Sequence, residues 1–164
     1  MTDNELNSKM IEDYRLHLLD FQRMHDYYNG QHDIVGNYYM IENRSNQIVI
    51  DNFIQKFIDE EVNYSLGNAI TIVSRSGNKE VIDCINKNLF HWNVNHNQQL
   101  MKMLEIYGKA YSLFYVDNKG RFCERLLNPT NAVCYCDTDG IPKRFIHFYK
   151  LKYDDSEYHD IYYD

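Results

Sequence analysis

The sequence predicts an α+β fold in which N-terminal helices pack on a C-terminal antiparallel β meander, and three observations predict it. Apolar residues recur at steps of three or four through residues 5–107, which is the helical period. After Gly108 the period changes to two, the spacing of strands with one covered face. With 164 residues, 44% hydrophobic and 25% charged, folding buries roughly 70% of the extended-chain surface, enough for a core without staples. The expected organisation is a single domain over residues 1–164, helical over 5–107 and β-rich over 109–164.

The first helix carries Leu6, Met10, Tyr14, Leu18, Phe21, Met24 and Tyr28 on one stripe, with Arg15, Asp20, Arg23 and Asp26 between them. It should end at Asn29-Gly30, because glycine takes the left-handed conformation at no steric cost. Residues 31–47 are polar and turn-rich apart from Ile34, Val35 and the run Tyr38 to Ile41, and read as an exposed connection. A second helix follows, with Ile50, Phe53, Ile54, Phe57, Ile58, Val62 and Leu66 as its buried stripe and Gly67-Asn68 as its close. Ala69 to Val73 reads as a short β-branched strand, then a turn at Ser74 to Asn78.

A third helix is expected from Lys79 to about Phe90, with Val81, Ile82, Ile85 and Leu89 on one face, and a fourth from about Asn97 to Tyr107. The segment HWNVNHN is the joint between them. Ala110 to Val116, Arg121 to Leu126, Ala132 to Cys136, Arg144 to Lys152 and Tyr158 to Tyr163 read as strands. Asn118-Lys119-Gly120 and Asp137-Thr138-Asp139-Gly140 supply hairpin turns. Ile161 to Asp164 stop in mid-strand pattern without a polar taper, so the chain reads as cut there.

Composition narrows the functions. The start, MTDNELNSK, shows neither a basic nor an apolar leader region, and no run approaches the roughly 18 apolar residues of a membrane span. A cytoplasmic origin is expected, with Cys84, Cys123, Cys134 and Cys136 reduced. A net charge of −7 argues against a surface that grips nucleic-acid phosphates.

Candidate chemistry is sparse. Cys134 and Cys136, two apart in a strand, share a face, but neither a C-x₂₋₄-C nor an H-x₃₋₅-H companion accompanies them. The reading preferred over zinc is small apolar cysteines packed under a sheet. His91, His96 and the His32-Asp33 pair show no convergence that acid–base work needs. Glu60-Glu61 and Asp154-Asp155 read as solvated faces, and no phosphate loop, dinucleotide fingerprint or nucleophile elbow is present. The 15 Tyr and 8 Phe against 2 Pro are a heavy aromatic load. Pairs such as Tyr27-Tyr28, Tyr38-Tyr39 and Tyr162-Tyr163 could stack on bases, but without a basic groove the reading is subunit interface. No catalytic residue, metal or cofactor is therefore assigned.

Four joints recur in order: Tyr27, Tyr28 and Gly30, with Ile34 following; Leu66, Gly67, Asn68 and Ile70; Tyr107, Gly108, Lys109, Ala110 and Tyr111; and Asn128-Pro129. In this order the chain resembles, over about Leu6 to Tyr149, the N-terminal part of the portal proteins of long-tailed double-stranded DNA phages. Those proteins have a Tyr-Tyr-x-Gly turn, a Leu-Gly-Asn-Pro-Ile turn, a Tyr-Gly-Lys-Ala-Tyr run and a later Asn-Pro. Ala69 stands where the family usually has Pro.

The resemblance implies a structural protein of the virion and not an enzyme: a ring subunit, usually twelve per ring, at one capsid vertex. Its implied partners are further copies of itself, terminase, major capsid and scaffolding proteins, and head-completion proteins. Double-stranded DNA passes the channel without sequence-specific binding, no membrane is involved, and assembly takes place in the host cytoplasm. The matched region corresponds to the peripheral wing. On this reading Gly30, Gly67 and Gly108 end helices, Asn128-Pro129 sets a turn, and Ala110 and Tyr111 begin the sheet. Two rivals are a short interaction module, a prophage remnant that binds full-length portal and interferes with assembly, and an unrelated metal-dependent hydrolase.

Overall fold

The computed structural model describes residues 2–36, 49–68, 70–89, 95–154 and 156–163. Among the described residues five helices come first: α1 (Asp3–Tyr28), the single turn α2 (Asp33–Gly36), α3 (Phe53–Leu66), α4 (Lys79–Leu89) and α5 (His96–Tyr107). Five strands follow: β1 (Tyr111–Val116), β2 (Phe122–Leu127), β3 (Ala132–Cys136), β4 (Pro142–Lys150) and β5 (Glu157–Tyr163). The α+β class and the division into a helical front and a stranded back are as the sequence predicts.

The strands follow one another in antiparallel chain order but fall into two sheets, β1-β2 and β3-β4-β5. A 3₁₀ turn at Pro129–Asn131 separates them. The missing proline N–H and the fixed proline φ stop the ladder there. Both hairpin turns are built alike. Asp117 Oδ1 accepts the N–H groups of Lys119 and Arg121, and Asp137 Oδ1 those of Asp139 and Ile141, all at 2.9–3.0 Å. Gly120 and Gly140 take φ of 75° and 79°.

α1 begins earlier than its apolar stripe suggests, because Thr2 and Glu5 form a capping box: the Glu5 N–H reaches the Thr2 hydroxyl and the Thr2 N–H reaches Glu5 Oε2 at 2.7 Å. The helix then lies across the three-stranded sheet. Met10 and Tyr14 pack with Ile146 and Phe148 of β4, flanked by Leu6, Ile11, Leu18, Val133 and Ile161. The Tyr14 and Phe148 rings stack with centroids 4.0 Å apart. Arg144, buried on β4, fixes the start of α1 by donating to the Asp3 carbonyl and carboxylate and to Asn7 Oδ1 at 2.7–3.1 Å.

Two expectations need correction. Ile70 to Val73 form no strand, and Ala69 lies outside the described residues. Strand preference expresses packing against neighbouring strands, and among the described residues none pairs with this segment. The stripe of the second helix is largely uncovered: only Val62 is buried, while Phe53, Ile54 and Phe57 are exposed. α3 also starts at Phe53 instead of Ile50, because Asn52 caps it by accepting the Gln55 N–H. Tyr38 to Ile41 and the greater part of the HWNVNHN joint, His91 included, lie outside the described residues.

Candidate functional site

The residues that carry the resemblance sit at helix ends, and side chains tie these ends together. At the first joint the Gly30 N–H bonds the Tyr27 carbonyl at 3.1 Å and the Gln31 N–H bonds the Asp26 carbonyl at 2.8 Å, with Gly30 at φ 79°. This is the Schellman close that a glycine permits. The Tyr28 hydroxyl donates to Asp59 Oδ1 of α3 at 2.9 Å, and Lys102 of α5 meets the same oxygen at 2.9 Å. The Lys102 ammonium also lies 5.0 Å from the centre of the Tyr28 ring.

Lys102 holds the Asp59 carboxyl below the usual carboxylate range, and Asp59 in turn raises Lys102. Asn52 works on two helices at once. Its Nδ2 donates to the Tyr28 carbonyl at 2.7 Å while its Oδ1 caps α3. Tyr27 instead donates to Asp33 Oδ2 at 3.0 Å, a bond that raises its pKa.

At the second joint the Leu66 carbonyl accepts Gln98 Nε2 of α5 at 3.0 Å. Gly67 is right-handed, at φ −67°, so glycine is needed here for room. A Cβ would come within 2.3 Å of the Asn63 carbonyl oxygen. Asn68 and Ile70 are exposed.

The third and fourth joints meet. Gly108, at φ 70°, ends α5 by donating to the Leu104 carbonyl at 2.8 Å. Asn128 Nδ2 donates to the Tyr107 hydroxyl oxygen at 3.2 Å, and the same hydroxyl pairs with His25 Nδ1 of α1 at 2.7 Å. Asn128 Oδ1 accepts the Thr130 N–H, and Tyr14 of α1 donates to the Thr130 carbonyl at 2.8 Å. Pro129 is fully buried.

Ala110, half-buried, leads into β1. The ring of Tyr111 then meets Phe145 edge-on at 5.2 Å, joining the two sheets. Burial, with the Cys134 and Cys136 thiols nearby, pushes the Tyr111 hydroxyl up to about 12.

One tie escapes sequence reasoning. His96, at the start of α5, pairs through Nδ1 with Glu124 Oε2 of β2 at 2.8 Å, and both side chains are buried. His96 stands out in the sequence, but Glu124 looks like any exposed acid of a strand. Cys134 and Cys136 do lie side by side, with sulfurs 3.7 Å apart, on a strand that bulges between Tyr135 and Cys136. Cys136 is exposed, so it is not packed under the sheet. Among the described residues no three His, Cys, Asp or Glu side chains are grouped to hold a metal, and no helix is long and apolar enough to cross a membrane. What the arrangement does chemically is hold helix ends and present surface.

A family model described as phage portal protein, SPP1 Gp6-like, matches residues 7–164. The chain belongs to this family. None of the curated proteins matches it. Phage portal proteins are structural proteins of the virion capsid that serve DNA packaging, so the helix joints belong to a portal. Portal proteins of this family work as oligomeric rings that dock to the capsid and terminase.

Proposed function

We propose that the chain is a subunit of the portal ring at a single capsid vertex, with the wing region formed by these residues and twelve copies per ring. Double-stranded DNA passes the ring during packaging and ejection, while terminase, capsid and scaffolding proteins and head-completion proteins dock on it. The observation that carries this reading is the family match across residues 7–164. The net charge of −7 supports it, because an acidic neighbour repels sliding phosphates instead of holding them. On this reading Tyr28, Tyr107, Gly108, Asn128 and Pro129 are fold-makers that keep the helices at fixed angles to the sheets.

Co-production of the chain, tagged for electron microscopy, with the major capsid and scaffolding proteins of its own phage tests the reading. Label at one vertex per shell is the expected result. Shells that carry no label, or label at every vertex, would overturn it. Among the described residues the outer edges of both sheets carry no partner strand, which favours a second reading, a module that binds full-length portal and spoils the ring. That reading requires the chain to lower the yield of filled capsids when supplied beside an intact portal.

A further inference from the structure

Cys134 and Cys136 take no part in holding the helix joints. Their sulfurs lie 3.7 Å apart on β3, and a disulfide bond between them needs about 2.05 Å. Residues two apart along a strand are separated by about 6.6–6.8 Å, the upper end of the Cα spacing of about 4.4–6.8 Å that a disulfide bridges. The strand has room to shorten at this place. It bulges between Tyr135 and Cys136, and a bulge bends the strand. Pro142, opposite Cys136, has no N–H to donate, so the ladder holds this end of β3 less firmly.

The two thiols differ in access. Cys134 is half-buried and stands opposite Phe145, whose ring the Tyr111 ring meets at 5.2 Å. Cys136 is exposed, next to the turn that Asp137 builds. Burial, with the Cys136 thiol beside it, pushes the Cys134 thiol up to about 11, while Lys109 acts in the opposite direction. Cys134 is thus shielded from small reagents and kept within reach of the accessible thiol. In that arrangement a group attached to the outer sulfur is displaced by the inner one.

We propose that Cys134 and Cys136 form a modification site for low-molecular-weight disulfides such as glutathione disulfide, and that the product is an internal Cys134–Cys136 disulfide. The Cys136 thiolate attacks one sulfur of the small disulfide and forms a mixed disulfide. One small thiolate leaves and takes up the proton that Cys136 gave up. The Cys134 thiolate then attacks the Cys136 sulfur, the bond to the attached group breaks, and a second small thiol leaves with the Cys134 proton. The pair loses two electrons, and the small disulfide is reduced to two thiols. A reducing cell interior keeps the pair as a dithiol, and a particle outside the cell keeps it closed. That timing, but not the chemistry, rests on the portal reading.

The test incubates the whole folded chain with glutathione disulfide, blocks the remaining thiols with iodoacetamide in denaturant, and maps tryptic peptides by mass. Cleavage after Arg125 and Lys143 leaves both cysteines, and no other, in the peptide of residues 126–143. This peptide is expected to lose both blocking groups, to weigh two hydrogens less than the dithiol form and to carry no glutathione. Excess reduced glutathione restores both blocking groups. Cys134→Ser is expected to keep one glutathione on Cys136, because nothing displaces it.

A peptide that keeps both blocking groups would overturn the proposal. So would an unaltered chain that retains glutathione at either position, or one whose Cys134 or Cys136 is joined to Cys84, Cys123 or a second chain. A Cys134→Ser form without an adduct would remove Cys136 as the first thiol to react. Each of these results concerns the chain in solution and leaves the portal reading standing.

Discussion

At the scale of single residues, stability concentrates in a few polar ties between distant segments. Tyr107 is buried and its hydroxyl serves both Asn128 and His25. Tyr107→Phe should therefore cost about 0.5–1.5 kcal/mol in urea unfolding, since both partners lose a hydrogen bond. Gly108 carries a positive φ with open space around its Cα, so the cost of a side chain is backbone strain alone. Gly108→Val should lose about 1–2 kcal/mol, and a near-unchanged melting temperature would contradict the left-handed cap. The glycines were legible in the sequence because their conformational role is local. The partner of His96 was not, since a buried His–Glu pair is made by a fold that brings residues 96 and 124 together.

Between elements, two links decide how helices and strands stay attached. Glu124→Ala leaves His96 buried without its carboxylate, and should cost about 3 kcal/mol or more by denaturant unfolding. Ile146 of β4 is wholly buried against α1, and Ile146→Ala should cost about 2–5 kcal/mol. His147, its neighbour on β4, is also buried. Burial lowers its pKa, with Arg125 acting in the same direction and Asp160 opposing.

The unfolded chain thus binds a proton at His147 before the folded chain does. Stability is retained above the ordinary histidine pKa near 6.5 and falls as pH drops through and below it. His147→Gln should flatten that decline between about pH 7 and pH 5, as measured by melting temperature against pH. Helix and strand identities were readable from periodicity, with ends within a few residues. The break into two sheets was not, because a period of two says that a segment is a strand but not which strand it pairs with. The 70–73 segment failed for the same reason: its residues suit a ladder that its own described chain does not offer.

As a whole, the molecule exposes 12825 Å², about one and a half times the roughly 8,600 Å² that mass scaling gives a compact monomer of this size. Part of that surface belongs to α3 and α4, where Phe53, Phe57 and Val81 are exposed. α3 and α4, with only Val62 buried between them, should exchange amide hydrogens faster than α1 and β4 in the monomer, and slow on assembly. Uniform protection in both states would contradict this division.

The Arg144 link to Asp3 also has a consequence in time. It joins positions 141 residues apart, so during synthesis the first helix emerges long before the strand that anchors it. At the usual rate of about 5–20 residues per second, α1 waits roughly 7–30 s for β4. Through that interval Met10 and Tyr14 have no sheet to cover them, and the nascent chain depends on chaperones or on α1 pairing early with α5.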